Sequence, residues 1–267
     1  MSPTRSAAFF DLDKTIIAKS STLAFSKPFY DGGLLSRRAV LRSAYAQFMF
    51  ALSGADHDQL EKMRAYLTQM VTGWDVEVVR QAVAETLHTI IDPIVFDEAV
   101  TLIEQHQAAG RDVIIVSASG TEVVEPIGAM LGVDHVIATT LVHADGRYTG
   151  DVEFYAYGPH KAVAMEQLAL ERGYDLSESY AYSDSETDAP MLSAVGHPFA
   201  VNPDKNLRRM AEENGWPVLV FVRPVALRRR LGLDTRVGKA AAAAVVASAV
   251  GAITVAFVTR RKHRVAA

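Results

Sequence analysis

With 267 residues, 49% of them hydrophobic and 22% charged, the chain can build one globular body with a sizeable core, or one such body plus an insert, and is too apolar for disorder. A formal net charge of -4, with no long stretch interleaving basic and aromatic residues, argues against a nucleic-acid partner. Zero cysteine excludes disulfides, thiolate metal sites and cysteine nucleophiles, and Met1-Ser-Pro-Thr-Arg-Ser runs into the first strand without a secretory-type apolar segment, so the folded body is expected in the cytoplasm.

The first predicted strand covers residues 7–12 and delivers Asp11 and Asp13, one residue apart, to the edge of a buried run. Alternation of period two lets both carboxylates face one side where the strand ends. Like charges brought together are costly unless a cation or a shared proton offsets them, and that cost marks candidate chemistry. Residues 18–91 then show helical periodicity: Leu41, Tyr45, Phe48 and Leu52 share one face, and Leu60, Met63, Leu67, Met70 and Trp74 another. This block reads as a helical cap inserted between the first two core strands, its aromatics and methionines forming a bundle core. Arg37, Arg38 and Arg42 are its candidate specificity residues, set against the simpler reading of solvated helix charges.

From residue 92 onward, short β-branched runs alternate with helices, the pattern of a parallel sheet wrapped by helices. Strands are expected near 112–117, 135–139, 179–183, 198–201 and 218–222. Helices are expected over Asp97–Ala109, stopping at Gly110, and over Pro159–Arg172, stopping at Gly173. Asp145-Gly146 signals a β-hairpin within Leu141–Val152. Ser117 ends the run Val113-Ile-Ile-Val116, where a hydroxyl and nearby amides suit a phosphate oxygen, although a serine there is more often a helix cap. Lys161 sits at a helix start, where the dipole disfavours a lysine placed for stability alone but an anion would be welcome. Asp184, Glu186 and Asp188 follow the strand ending near Ser183 and, with Asp11, offer the hard oxygen ligands that Mg²⁺ requires.

A basic linker over 225–239 leads to Ala240–Val258, 19 residues without a charge, and then to a basic tail over 259–267. At ~1.5 Å per residue such a helix comes close to the ~30 Å of a bilayer core. A single C-terminal transmembrane helix is therefore expected, tethering the cytoplasmic body to a membrane; the alternative is an alanine-rich surface helix or basic tail, since nine of the 19 residues are alanine.

The order Asp11-x-Asp13-x-Thr15, Ser117, Lys161, Asp184-x-x-x-Asp188 resembles the haloacid dehalogenase (HAD) superfamily, and the helical insert resembles the cap of its phosphoserine-phosphatase-like subfamily IB. The resemblance implies a Rossmann-like core over 1–17 and 92–224 with a C1-type cap over 18–91. It implies a phosphatase acting on a small phosphorylated substrate. Asp11 would be the nucleophile that becomes an aspartyl-phosphate, and Asp13 the general acid and then base. Ser117 and Lys161 would hold phosphoryl oxygens, while Mg²⁺ would lie on Asp11, the Asp13 main-chain carbonyl and Asp184, with Asp188 in support. Two departures bear on the substrate. Where phosphoserine phosphatases carry a glutamate that reads the substrate ammonium, this chain has Ser20, followed by Ser21 and Thr22; and Ser183 and Thr187 stand in the last motif. The expected activity is thus hydrolysis of an unidentified phosphomonoester, with phosphoserine, or a membrane-attached phosphate-binding role without turnover, as alternatives.

Overall fold

The computed structural model describes residues 5–34, 68 and 70–224. The chain divides into two units, Met1–Pro224 and Val225–Ala267. The expected linker, transmembrane helix and basic tail therefore lie outside the described residues, as do Arg37, Arg38, Arg42 and most of the expected cap faces. Among the described residues, no helix is long and apolar enough to cross a membrane.

Seven strands form one sheet in the order β4-β3-β2-β1-β5-β6-β7, with β1 at Ala7–Phe10, β2 at Asp112–Gly120, β3 at His135–Ala144, β4 at Arg147–Phe154, β5 at Tyr180–Ser183, β6 at His197–Val201 and β7 at Val218–Leu219. All neighbours are parallel except β3 and β4. The chain leaves β1 to build β2 and β3 on one side, then crosses to build β5, β6 and β7 on the other. This reversal opens a crevice beyond the carboxyl ends of the central strands.

Strand β1 can be central because all four of its residues, Ala-Ala-Phe-Phe, are fully buried. Phe9 faces a core shared with Ile114, Val116, Met165, Met191 and Leu207. Phe10 faces the other layer, stacking on Tyr182 at 4.3 Å between ring centres. There His106 donates or accepts a 2.9 Å hydrogen bond with the Tyr182 hydroxyl, and Arg111 Nε donates to His106 Nδ1 at 2.8 Å.

Two short helices, α1 (Ser21–Ala24) and α2 (Ser26–Asp31), follow β1. Helix α3 (Val76–Ile90) is capped by Asp75, whose side chain accepts from the Glu77 and Val78 amides, and it buries Val76, Val79, Val83 and Leu87 at helical spacing. Helices α4 (Asp97–Ala108), α5 (Thr121–Leu131), α6 (Pro159–Arg172), α7 (Ala189–Ser193) and α8 (Lys205–Asn214) complete the wrapping.

Four departures from the expected elements have physical causes. Strand β1 stops at Phe10 rather than 12, because the chain turns there: the Ile16 and Ile17 amides both donate to the Leu12 carbonyl and Lys14 takes a left-handed φ of 61°. The strand expected at 135–139 and the hairpin are one piece. Strand β3 is parallel to β2 in its first half and antiparallel to β4 in its second, returning through Asp145 (φ 50°) and Gly146 (φ 75°), the two positive φ values of a type I′ turn. Strand β7 ends at Leu219 instead of 222, since Phe221 is held by the Asn202 side chain through both its amide and its carbonyl. Helix α5 has no counterpart in the periodicity. Pro126 lies inside it, and Gly128 lets it approach β3, where a β-carbon would come 2.8 Å from Val136 Cγ2.

Candidate active site

The candidate residues gather at the carboxyl ends of β1, β2 and β5 and at the start of α6. The Asp11 amide still pairs with the Tyr182 carbonyl at 2.9 Å, one residue beyond β1, which anchors Asp11 beside β5. Strand alternation therefore does not set the geometry of the Asp11–Asp13 pair; the turn does. Asp11 is buried and aimed at Lys161, while Asp13 is half-buried and accepts the Ser21 amide at 2.9 Å, at the first turn of α1.

Lys161 is 3% exposed and donates to Asp11 Oδ1 and Asp188 Oδ2, both at 2.8 Å. Ser183 Oγ adds a 2.7 Å hydrogen bond to the same Asp188 oxygen. The lysine reaches this point because Gly158 (φ 54°, ψ -128°) turns the chain into α6 in a conformation that L side chains resist, and Pro159 starts the helix. Asp184 is buried, with Lys14 Nζ 3.7 Å from its carboxylate. Ser117 lies next door on β2, its buried hydroxyl accepting the Ser119 amide at 3.2 Å. The structure thus joins Asp11, Lys161 and Asp188 directly, sets Asp184 beside them, and turns Asp13 toward the α1 side.

Three residues outside the expected set support this arrangement. Asp204 accepts the Glu186 amide at 3.0 Å while capping α8, and its own amide donates to the Asp184 carbonyl at 2.8 Å. Asp204 before a helical run is a capping signal legible in sequence, but its grip on the Asp184 loop is not. Ser21 and Ser119 share a 2.7 Å hydroxyl contact that links α1 to the end of β2, past Ser117.

Two carboxylates therefore contact one buried ammonium, with those of Asp184 and Asp13 nearby. Burial pushes Asp11 well above the usual carboxylate range; Lys161 opposes the shift, and Asp188, Asp184 and Asp13 add to it. Burial likewise raises Asp184 to about 7 against the pull of Lys14, with Asp188 and Asp204 contributing. Asp13 is raised by burial and drawn back by the Ser21 amide. Burial alone would lower the Lys161 ammonium, but Asp11 and Asp188 hold it above the ordinary lysine range.

This surplus of buried negative charge, presented on oxygen alone, fits a small hard cation. Among the described residues no three acidic or histidine side chains form a metal cluster by themselves.

A mostly parallel, helix-wrapped sheet with acidic groups and a lysine at its switch point defines an α/β enzyme. Residues 8–193 match the haloacid dehalogenase-like hydrolase family. The chain is 60% identical to the inhibition of morphological differentiation protein of Streptomyces azureus, over 98% of this chain and 96% of that one. It is 59% identical to a probable phosphatase of Mycobacterium tuberculosis, over 96% of this chain and 90% of the relative. Its fold is similar to that of a phosphoserine phosphatase solved as a phospho-aspartyl intermediate analogue, with a TM-score of 0.60 at 20% identity over 87% of this chain and all of the other. The chain belongs to the haloacid dehalogenase-like hydrolases, as a phosphoserine-phosphatase-like member. Phosphatases of this family generally use Mg²⁺.

Proposed function

We propose that the chain is a Mg²⁺-dependent phosphomonoester hydrolase that works through an aspartyl-phosphate on Asp11. The observation that carries this reading is a buried Asp11 held by a lysine shared with Asp188, at the switch point of a haloacid dehalogenase-like fold. Lys161 engages Oδ1 of Asp11 and leaves Oδ2 to attack phosphorus. As the new P–O bond forms, the ester P–O bond breaks and the proton on Asp13, whose pKa is raised, passes to the departing alcohol. Asp13 then takes a proton from the water that cleaves the aspartyl-phosphate.

Ser117 and Lys161 hold the phosphoryl oxygens in this scheme, and Asp188, fixed by Ser183, keeps Lys161 in place. Mg²⁺ would be held by the Asp11 carboxylate, the Asp13 main-chain carbonyl and Asp184, with Asp188 in support. Bound there, it offsets the charge on the phosphoryl oxygens. The membrane tether belongs to the proposal as well and rests on the charge-free run 240–258.

Hydrolysis of 4-nitrophenyl phosphate tests the reading. Activity with Mg²⁺, its loss on EDTA treatment and its return with added Mg²⁺ are expected. Full turnover after exhaustive chelation, or in Asp11→Asn, overturns it.

A further inference from the structure

Beside the site, a cavity of about 190 Å³ opens between the α1–α2 segment, the stretch before α3, and the β3–β4 hairpin. Leu23, Phe29, Val71, Trp74, Leu141 and Tyr155 supply its apolar walls. Its floor is Ala118-Ser119-Gly120, the irregular end of β2 directly after Ser117, and Ser119 bonds the same Ser21 whose amide holds Asp13. The cavity therefore adjoins the residues after Ser117 on the side toward which Asp13 turns. It is smaller than the ~300–1,000 Å³ that drug-sized ligands occupy and has room for a body of about ring size.

One charged side chain lines it among the described residues: Glu122. That carboxylate is only 13% exposed, folds back over Gly120, accepts a hydrogen bond from Tyr148 and stands 4.0 Å from an Arg80 that is itself paired to Glu77 at 2.8 Å. As a first-turn residue of α5 it also complements the helix dipole, and that bland role would be its whole account if it faced solvent. It faces an apolar pocket instead. Among the described residues that line the cavity, this carboxylate is thus the one charged group, and its sign favours a cation.

We propose that the leaving alcohol is a ring-sized apolar body carrying one amino group, with the ring in this cavity and the ammonium against Glu122. The inference rests on the phosphatase reading and narrows it: phosphoserine, which has no ring to fill the cavity, is a poor substrate. The aromatic walls favour the same cation, since an ammonium over a ring face is attracted to it.

The test compares kcat/KM of the full chain with Mg²⁺ for 2-amino-3-phenylpropyl phosphate, 3-phenylpropyl phosphate (no amine), phosphoethanolamine (no ring) and phosphoserine, with 4-nitrophenyl phosphate as control. The first ester is expected to exceed each of the other three by at least roughly tenfold, from one charge-assisted contact or one buried ring. In Glu122→Gln, which keeps an acceptor for Tyr148, the ratio of the amino ester to 3-phenylpropyl phosphate should fall toward one. Trp74→Leu should instead shrink the advantage of the amino ester over phosphoethanolamine. Phosphoserine matching the amino ester, or an unchanged ratio in Glu122→Gln, overturns the inference. Should 4-nitrophenyl phosphate be cleaved with no preference among the other esters, the inference alone falls. Should no ester be cleaved, the phosphatase reading beneath it falls.

Discussion

Lys161 lies between two buried carboxylates, and each of the three charges is tolerable only because of the others. Removing the lysine leaves Asp11 and Asp188 buried and facing each other, so Lys161→Met should cost about 3–5 kcal/mol of stability as well as activity. Asp11→Asn behaves differently. It removes a charge that the fold already disfavours and leaves Lys161 on Asp188, so turnover should fall by at least about a thousandfold while the thermal midpoint hardly drops. In the double variant the two losses of stability should not add, and urea unfolding of all four proteins gives the coupling. Additive losses would mean that the pair does not interact. His106 offers a pH test away from the site. Burial, with Arg111 beside it, lowers its pKa to about 4 from an ordinary 6.5. The unfolded chain binds its proton more readily, so the stabilisation is complete above about pH 6.5 and is lost as pH falls toward 4, by at most about 3 kcal/mol. His106→Gln should therefore show a smaller drop in urea midpoint between pH 7.5 and pH 5 than the wild type. An equal drop would assign the acid sensitivity to other groups.

At the scale of elements, helix starts and turns aim the side chains. Gly158 holds a φ of 54° with ψ -128° directly before the helix that carries Lys161. A β-carbon there meets little, the nearest atom being the Thr187 carbonyl oxygen at 3.8 Å, so the expected penalty of Gly158→Ala is backbone strain and not a clash. That variant should lose about 1–3 kcal/mol of stability, and relaxation of the strain should move Lys161 off Asp11 and depress kcat. Unchanged stability and kcat would show that the α6 start accommodates an ordinary residue. The α1 start plays the matching part on the other side, its Ser21 amide holding Asp13 and its hydroxyl meeting Ser119. The α1 side of the cavity is thereby tied to the end of β2.

At the scale of the whole molecule, every group of the candidate site lies within Met1–Pro224. The last contacts of that unit are a bridge between Phe96 and Pro224 and a 2.9 Å hydrogen bond from the Asp97 amide to the Arg223 carbonyl. A chain ending at Pro224 keeps both and should retain kcat and KM, whereas one ending at Phe221 should be less stable. If Ala240–Val258 spans a bilayer, the full chain should resist carbonate extraction from membranes and the shortened chain should not. Release of the full chain by high salt alone would reduce the tail to a basic surface attraction.

The sequence by itself determined the α/β alternation, the placement of Asp11, Lys161, Asp184 and Asp188 at strand ends and a helix start, and the Asp-Gly hairpin turn, whereas Ser117, expected to end its strand, lies within β2, which runs on to Gly120. These features are local: period, capping and turn residues act over a few positions, and so they are legible without coordinates. Only the tertiary structure decided that Lys161 reaches both Asp11 and Asp188, that Asp13 turns toward Ser21, that Asp204 clamps the Asp184 loop, and that β3 runs on into the hairpin. Helix α5 was missed for a different reason: Pro126 and Gly128 argue locally against a helix, and packing of Val124, Ile127 and Gly128 supplies what propensity withholds. The cavity holding Glu122 was likewise decided by the tertiary structure, because its walls come from segments separated by about a hundred residues and are brought together by the fold alone.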